Sequence, residues 1–167
     1  SRAEAEALAE QAAATIRVRL GEHLIGEEPL AQAVARLLDA RGISLALYEG
    51  NDRAPVYRAL AATELGRKNL RGAIIHPLDR PADQAAAVSL ARSGALAARD
   101  RWRSTLALGV QPASTPSADG FTSVAVALEH PSGVAEVTRR YDLNLDEGWD
   151  VVGTLALDVI RRFLLEG

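Results

Sequence analysis

Apolar residues recur at helical spacing in "PLAQAVARLLDARG", where Leu30, Ala33, Val34, Leu37 and Leu38 fall three and four positions apart. Pro29 suits the first turn of that helix, Glu27 and Glu28 suit its positive end, and Gly42 suits its stop. Upstream, residues 1–21 are alanine-rich with few large apolar side chains, which predicts a helix ending at Gly21. "ISLALY" (43–48) and "RGAIIH" (71–76) are short, nearly continuous apolar runs, the pattern of buried strands, with a helix predicted over 54–65 between them. Pro81 opens an alanine-rich helix to about Arg99. Three strands follow at 104–110, 121–130 and 133–143, the last two joined by the turn "HPSG", while "QPASTPSADG" (111–120) has the composition of a surface loop. The closing helix begins near Asp146, a plausible N-cap, and its expected buried stripe is Val152, Leu155, Ala156, Val159, Ile160 and Phe163. This order predicts a single α/β domain, a three-layer α/β/α sandwich around a mixed sheet of about five strands. The domain is expected over 22–167, with 1–21 as the end of a linker from an upstream domain.

Composition narrows the chemistry. The chain has 167 residues, a formal charge of −3 and a pI near 5.6, without the basic footprint of a nucleic-acid binder. With no cysteine there is no disulfide and no thiol nucleophile, which fits a cytoplasmic protein. No apolar run approaches the ~20 residues that span a bilayer. The chain also lacks methionine, so we expect the end piece of a longer protein. Arginine stands in place of lysine almost everywhere, Lys68 excepted, a usage expected of a GC-rich bacterial genome. His23, His76 and His130 show no ligand spacing, so no metal and no cofactor is expected. Trp102 and Trp149 are expected to pack, and aromatic residues at 4% are too few for a base-stacking surface.

The segments "IRVRLGEHLIGEEPLAQAVARLLDARGISLALYE", "LARSGALAARDRWRSTLALGV", "GFTSVAVAL" and "RRYDLNLDEGWDVVGTLALDVIRRFLLE" together resemble the C-terminal domain of the CinA (competence/damage-inducible protein) family, over about residues 16 to 166. The active members of that family are nicotinamide-nucleotide amidases, which deamidate nicotinamide mononucleotide. The resemblance lies in framework residues. The family carries Glu-Ser-x-Thr-Gly-Gly after its first strand, and this chain has Glu49-Gly50-Asn51-Asp52-Arg53-Ala54. Its Tyr-Ser-Asn-x-x-Lys after the second strand becomes His76-Pro77-Leu78-Asp79-Arg80-Pro81. Its glycine-rich third loop becomes "GVQPASTPSADG", which keeps Gly109 and Pro112. The positions of the family's serine, tyrosine and lysine are thus Gly50, His76 and Pro81.

Amide hydrolysis needs a nucleophile, a proton acceptor and donors for the oxyanion. Gly50 offers no nucleophile, and Lys68 lies before the second strand, roughly 20 Å from the motif at its other end. Asp52, His76 and Asp79 are the candidate substitutes, with His76 and Asp79 as a base and its orienting carboxylate. Ser114 and Thr115 are also candidates. The plainer expectation is that Asp52 caps the helix at Pro55, that His76 ends its strand at the surface, and that Asp79 helps cap the helix at Pro81. Glu49, Asn51, Arg53, Arg80, Gly109 and Pro112 are the candidate ligand contacts, the two arginines for phosphate. Three functions stay open: a domain without activity that binds or assembles, an amidohydrolase built on His76 and Asp52, and a nucleotide sensor. The partners expected are a pyridine nucleotide, a second copy in a homodimer and an upstream domain of the same chain. Neither nucleic acid nor membrane is expected.

Overall fold

A computed structural model describes residues 28–77, 83–114 and 117–166. The N-terminal helix expected over 1–21 and the segment carrying Asp79, Arg80 and Pro81 lie outside the described residues, as do His23 and Thr115. The elements run α1 (Leu30–Ala40), β1 (Leu45–Glu49), α2 (Pro55–Ala61), α3 (Glu64–Asn69), β2 (Leu70–Ile75), α4 (Gln84–Trp102), β3 (Leu106–Pro112), β4 (Thr122–His130), β5 (Gly133–Tyr141) and α5 (Asp146–Glu166). One five-stranded sheet has the order β2-β1-β3-β4-β5. β1 runs parallel to β2 and to β3, and β4 and β5 add an antiparallel half. The mixed α/β sheet matches the expected fold class.

Strand alternation sends residues to two unlike layers. Leu45 and Leu47 of β1, with Leu106, Leu108 and Val110 of β3, pack against Val34 and Leu38 of α1, Val56 and Leu60 of α2, and Val152 and Ile160 of α5. The opposite face is built from alanine. Ala46, Ala107, Ala125 and Ala127 meet Ala87, Ala91, Ala95 and Ala98 of α4. Gly109 belongs to this face, and a Cβ on it would collide with the Ala91 carbonyl, so α4 lies nearly backbone to backbone on β3. The tryptophans pack as expected, Trp149 in the core and the Trp102 ring over Gly72.

Several boundaries move from their expected places. The helix expected over 54–65 is two helices. Thr63 breaks it, its hydroxyl donating to the Leu60 carbonyl (3.0 Å) and accepting from the Gly66 N–H (2.9 Å) to cap α3. The third strand starts at Leu106 because Ser104 and Thr105 are held in the turn, Ser104 by its own Leu106 carbonyl and Thr105 by Ser44. At its other end, β3 runs through Gln111 and Pro112 into the stretch expected as loop, since they pair with Ala125 and Val124. α4 begins at Gln84, where the Asp83 carboxylate accepts from the Ala86 N–H. Asp146 is the first residue of α5 and not a cap before it. In α5 the buried face is Val152, Ala156 and Ile160 with Trp149, Gly153, Leu157, Arg161 and Leu164. Leu155, Val159 and Phe163 are only partly buried and line a groove of about 310 Å³ against Ala135 and Val137 of β5. No helix among the described residues is long and apolar enough to cross a membrane.

Candidate functional site

The three loops singled out in the sequence follow β1, β2 and β3, which are parallel neighbours, so they meet at one edge of the sheet. That edge, at the carboxyl ends of the strands, is where α/β sheets carry ligands. Successive residues there face opposite layers. Glu49 continues the Leu45–Leu47 face and points toward α2, while Tyr48 continues the alanine face toward α4.

Glu49 is 0% exposed and holds the start of α2, its carboxylate accepting from the N–H groups of Tyr57 (2.7 Å) and Val56 (3.2 Å). Asn51, also 0% exposed, accepts from the Ala54 N–H at 2.9 Å. Ala54 is left-handed (φ 43°), which turns the chain sharply enough for both side chains to reach it. Capping therefore falls to Glu49 and Asn51, not to the expected Asp52, whose side chain is exposed. Burial pushes the Glu49 carboxyl up to about 7, against the pull of its two N–H donors. The other amide atom of Asn51, Nδ2, is buried without a hydrogen-bond partner among the described residues.

Gly50 is fixed by its N–H to the Val110 carbonyl (2.8 Å). The space a side chain would take there holds the carboxamide of Gln111, and a Cβ on Gly50 would fall far inside van der Waals contact with its Oε1 and Cδ. Gln111 is 2% exposed. Its Oε1 accepts from the Tyr48 hydroxyl (3.0 Å), and its Nε2 donates to the carbonyls of Pro112 (3.1 Å) and Gly50 (3.4 Å). The Tyr48 ring lies over Gly94 of α4, and burial raises its hydroxyl above the ordinary range.

Of the other candidates within the described residues, His76 joins this edge through its N–H, which donates to the Glu49 carbonyl (2.9 Å). Arg53 is exposed and turns to Asp146 at the start of α5 (3.2 Å). His76 and Pro77 are exposed, and the His76 ring sits 5.9 Å from that of Tyr48. No hydrogen bond or ion pair joins His76 to Asp52 among the described residues. Lys68 pairs with Asp39 at 2.7 Å, on α3 before β2. His130 packs on Phe163 (4.6 Å), away from this edge. No group of residues that could hold a metal occurs among the described residues. Of the candidate ligand contacts, Glu49 and Asn51 both hold the start of α2, the Pro112 carbonyl accepts from Gln111, Gly109 lies under α4 and Arg53 turns to Asp146, while Arg80 lies outside the described residues. Tyr48 and Gln111 were missed in the sequence. The one signal available was that Gln111 continues the alternation Ala107-Gly109-Gln111, which the following Pro and Ser obscure.

No family model and no curated protein matches the sequence. Among solved structures, the fold matches a competence or damage-inducible protein from Enterobacter asburiae at 18% identity, covering 82% of this chain and 95% of that one, with a TM-score of 0.61. The fold is that of CinA superfamily proteins. Two structures described as CinA superfamily proteins match as well, from Enterobacter cloacae (16% identity, TM-score 0.62, 86% of this chain and 96% of that one) and Escherichia coli (18%, 0.58, 87% and 96%). At such identities the CinA likeness speaks for the fold. The chemistry at Gly50 must be read from this chain's own residues.

Proposed function

We propose that this chain is a CinA-fold domain that does not hydrolyse amides and that serves in ligand binding or assembly, with a pyridine nucleotide, a second copy and an upstream domain as its candidate partners. One observation carries the reading. The position directly after β1 is Gly50, with no nucleophile, and the side chains of Tyr48, Glu49 and Gln111 beside it are engaged within the protein. Glu49 caps a helix and Tyr48 donates to Gln111, while His76 and Asp52, exposed and unjoined, form no base and orienter. Given nicotinamide mononucleotide, the domain is expected to release no ammonia above background. Gly50→Ser alone should stay inactive, because catalytic groups that act as a unit are strongly non-additive. Turnover by the unaltered domain, abolished by His76→Ala, would overturn this reading. A thermal-shift panel of pyridine and adenine nucleotides then separates binding from assembly, since a ligand at ~100-fold saturation adds roughly 2.7 kcal/mol.

A further inference from the structure

The sheet ends at β5, and no strand lies beyond it among the described residues. A free strand edge leaves a row of main-chain donors and acceptors open, and proteins ordinarily guard it with lysine, proline, a bulge or a covering element. β5 runs nine residues, Gly133–Tyr141, with no lysine or proline in it and an unbroken register to β4. The hairpin turn fixes which residues face out. It closes on the His130–Gly133 pair, so Gly133, Ala135, Val137, Arg139 and Tyr141 bond to β4. Val134, Glu136, Thr138 and Arg140 then turn their N–H and C=O groups to the free edge. The Thr138 carbonyl accepts from the Arg139 guanidinium (2.9 Å), a side chain standing where a neighbouring strand would.

We propose that β5 is the seam of a homodimer, in which the same strand of a second copy pairs antiparallel with it about a two-fold axis through Thr138. Charge selects both the partner and the register. The four outward residues lie on the α4 face, where Glu136 meets Arg92 (3.9 Å) and Arg140 meets Asp119. Residues opposite one another in an antiparallel pair share a face, so the axis must pass through a residue and not between two. With the axis at Thr138, Glu136 of each copy stands opposite Arg140 of the other, and the existing ion pairs join into a row of alternating sign. An axis at Arg139 would set that arginine against itself and Glu136 against Asp142. An axis at Glu136 would oppose two carboxylates, and one at Val137 would leave Glu136 facing Thr138. On the other face, Val137 comes opposite Arg139 and Ala135 opposite Tyr141, beside the groove that Leu155, Val159 and Phe163 leave half covered. The inference rests on the assembly part of the proposed function, and adds to it the surface and the register.

In sedimentation equilibrium at about 50 μM, the chain should show twice its 17.7 kDa mass. Thr138→Pro removes an N–H that points away from β4, so it should keep the fold and weaken the dimer at least about tenfold. Should that variant fail to fold, the charges give the same test. Glu136→Arg should weaken the dimer at least about tenfold, and adding Arg140→Glu should restore it. The chain has no cysteine, which makes the register readable by cross-linking. Thr138→Cys sets two thiols across the axis with Cα atoms about 5.5 Å apart, within disulfide reach, so mild oxidation should join the copies. Arg140→Cys should not be joined, since its twin lies about 13 Å along the seam. A monomer at this concentration would overturn the proposal and leave the edge to a strand of another protein. A dimer indifferent to these changes, or one oxidised through position 140 and not 138, would overturn it as well. Ammonia release, by contrast, would overturn the non-hydrolytic reading and leave the seam standing.

Discussion

At Glu49, two effects of opposite sign act on one proton. The N–H groups of Val56 and Tyr57 favour the carboxylate, while full burial favours the neutral acid, and burial wins, raising the group from 4.5 to about 7. A carboxyl raised on folding binds its proton more tightly in the folded state than in the unfolded one. Its contribution to stability is therefore fully present below about pH 4.5 and is lost as pH rises through about 7. The difference is on the order of 3 kcal/mol. Asp39 and Asp119 are shifted the other way by Lys68 and Arg140, so their effect on stability falls below the ordinary carboxylate range, outside this window. Melting temperature should accordingly rise when pH is lowered from about 8 to about 5, and Glu49→Gln should flatten that rise. A wild-type curve already flat across the window would show that the carboxylate is better solvated than its burial implies.

Among the elements, the helix spacing in α1 and the apolar run in β1 were legible, because each is set by neighbours within a few positions. The break at Thr63 was not, since its hydroxyl competes with the helix for Leu60 and Gly66 and leaves no gap in the apolar pattern. The end of β3 was hidden for a different reason. Gln111 and Pro112 have loop composition, and what makes them strand is the register with Ala125 and Val124, set by β4. The loops of this edge were legible and Gln111 was not, because its partners Tyr48 and Gly50 lie more than sixty residues upstream. The two faces of β3 also answer to opposite errors of size. Leu108→Ala, on the aliphatic face, should cost about 2–5 kcal/mol by leaving a cavity. Gly109→Ala, on the alanine face, should cost about 1–3 kcal/mol or more by forcing α4 off the sheet, since the obstacle is the Ala91 backbone and not a side chain that can turn aside. Urea unfolding of the two variants checks both, and a neutral Gly109→Ala would mean that α4 lifts freely.

For the whole molecule, the alanine layer has a consequence for motion. Each methylene buried is worth about 0.8 kcal/mol, and an alanine gives up its entire side chain for a single methyl. α4 meets the sheet through Ala87, Ala91, Gly94, Ala95 and Ala98, whereas α5 inserts Val152, Leu157, Ile160 and Leu164. The long alanine helix is thus fitted closely and held weakly, the condition for a segment that opens on its own before the rest unfolds. In native-state hydrogen exchange, amides from Ala91 to Ala98 should exchange through a partial opening, at a lower free energy than those from Ala156 to Leu164. Equal protection of the two helices would show that close backbone packing makes up the difference. Because the Tyr48 ring lies directly on Gly94, that opening uncovers the Tyr48–Gln111 pair from the helix side. Solvent would reach the Tyr48–Gln111 pair past a helix face whose buried residues are all alanine and glycine.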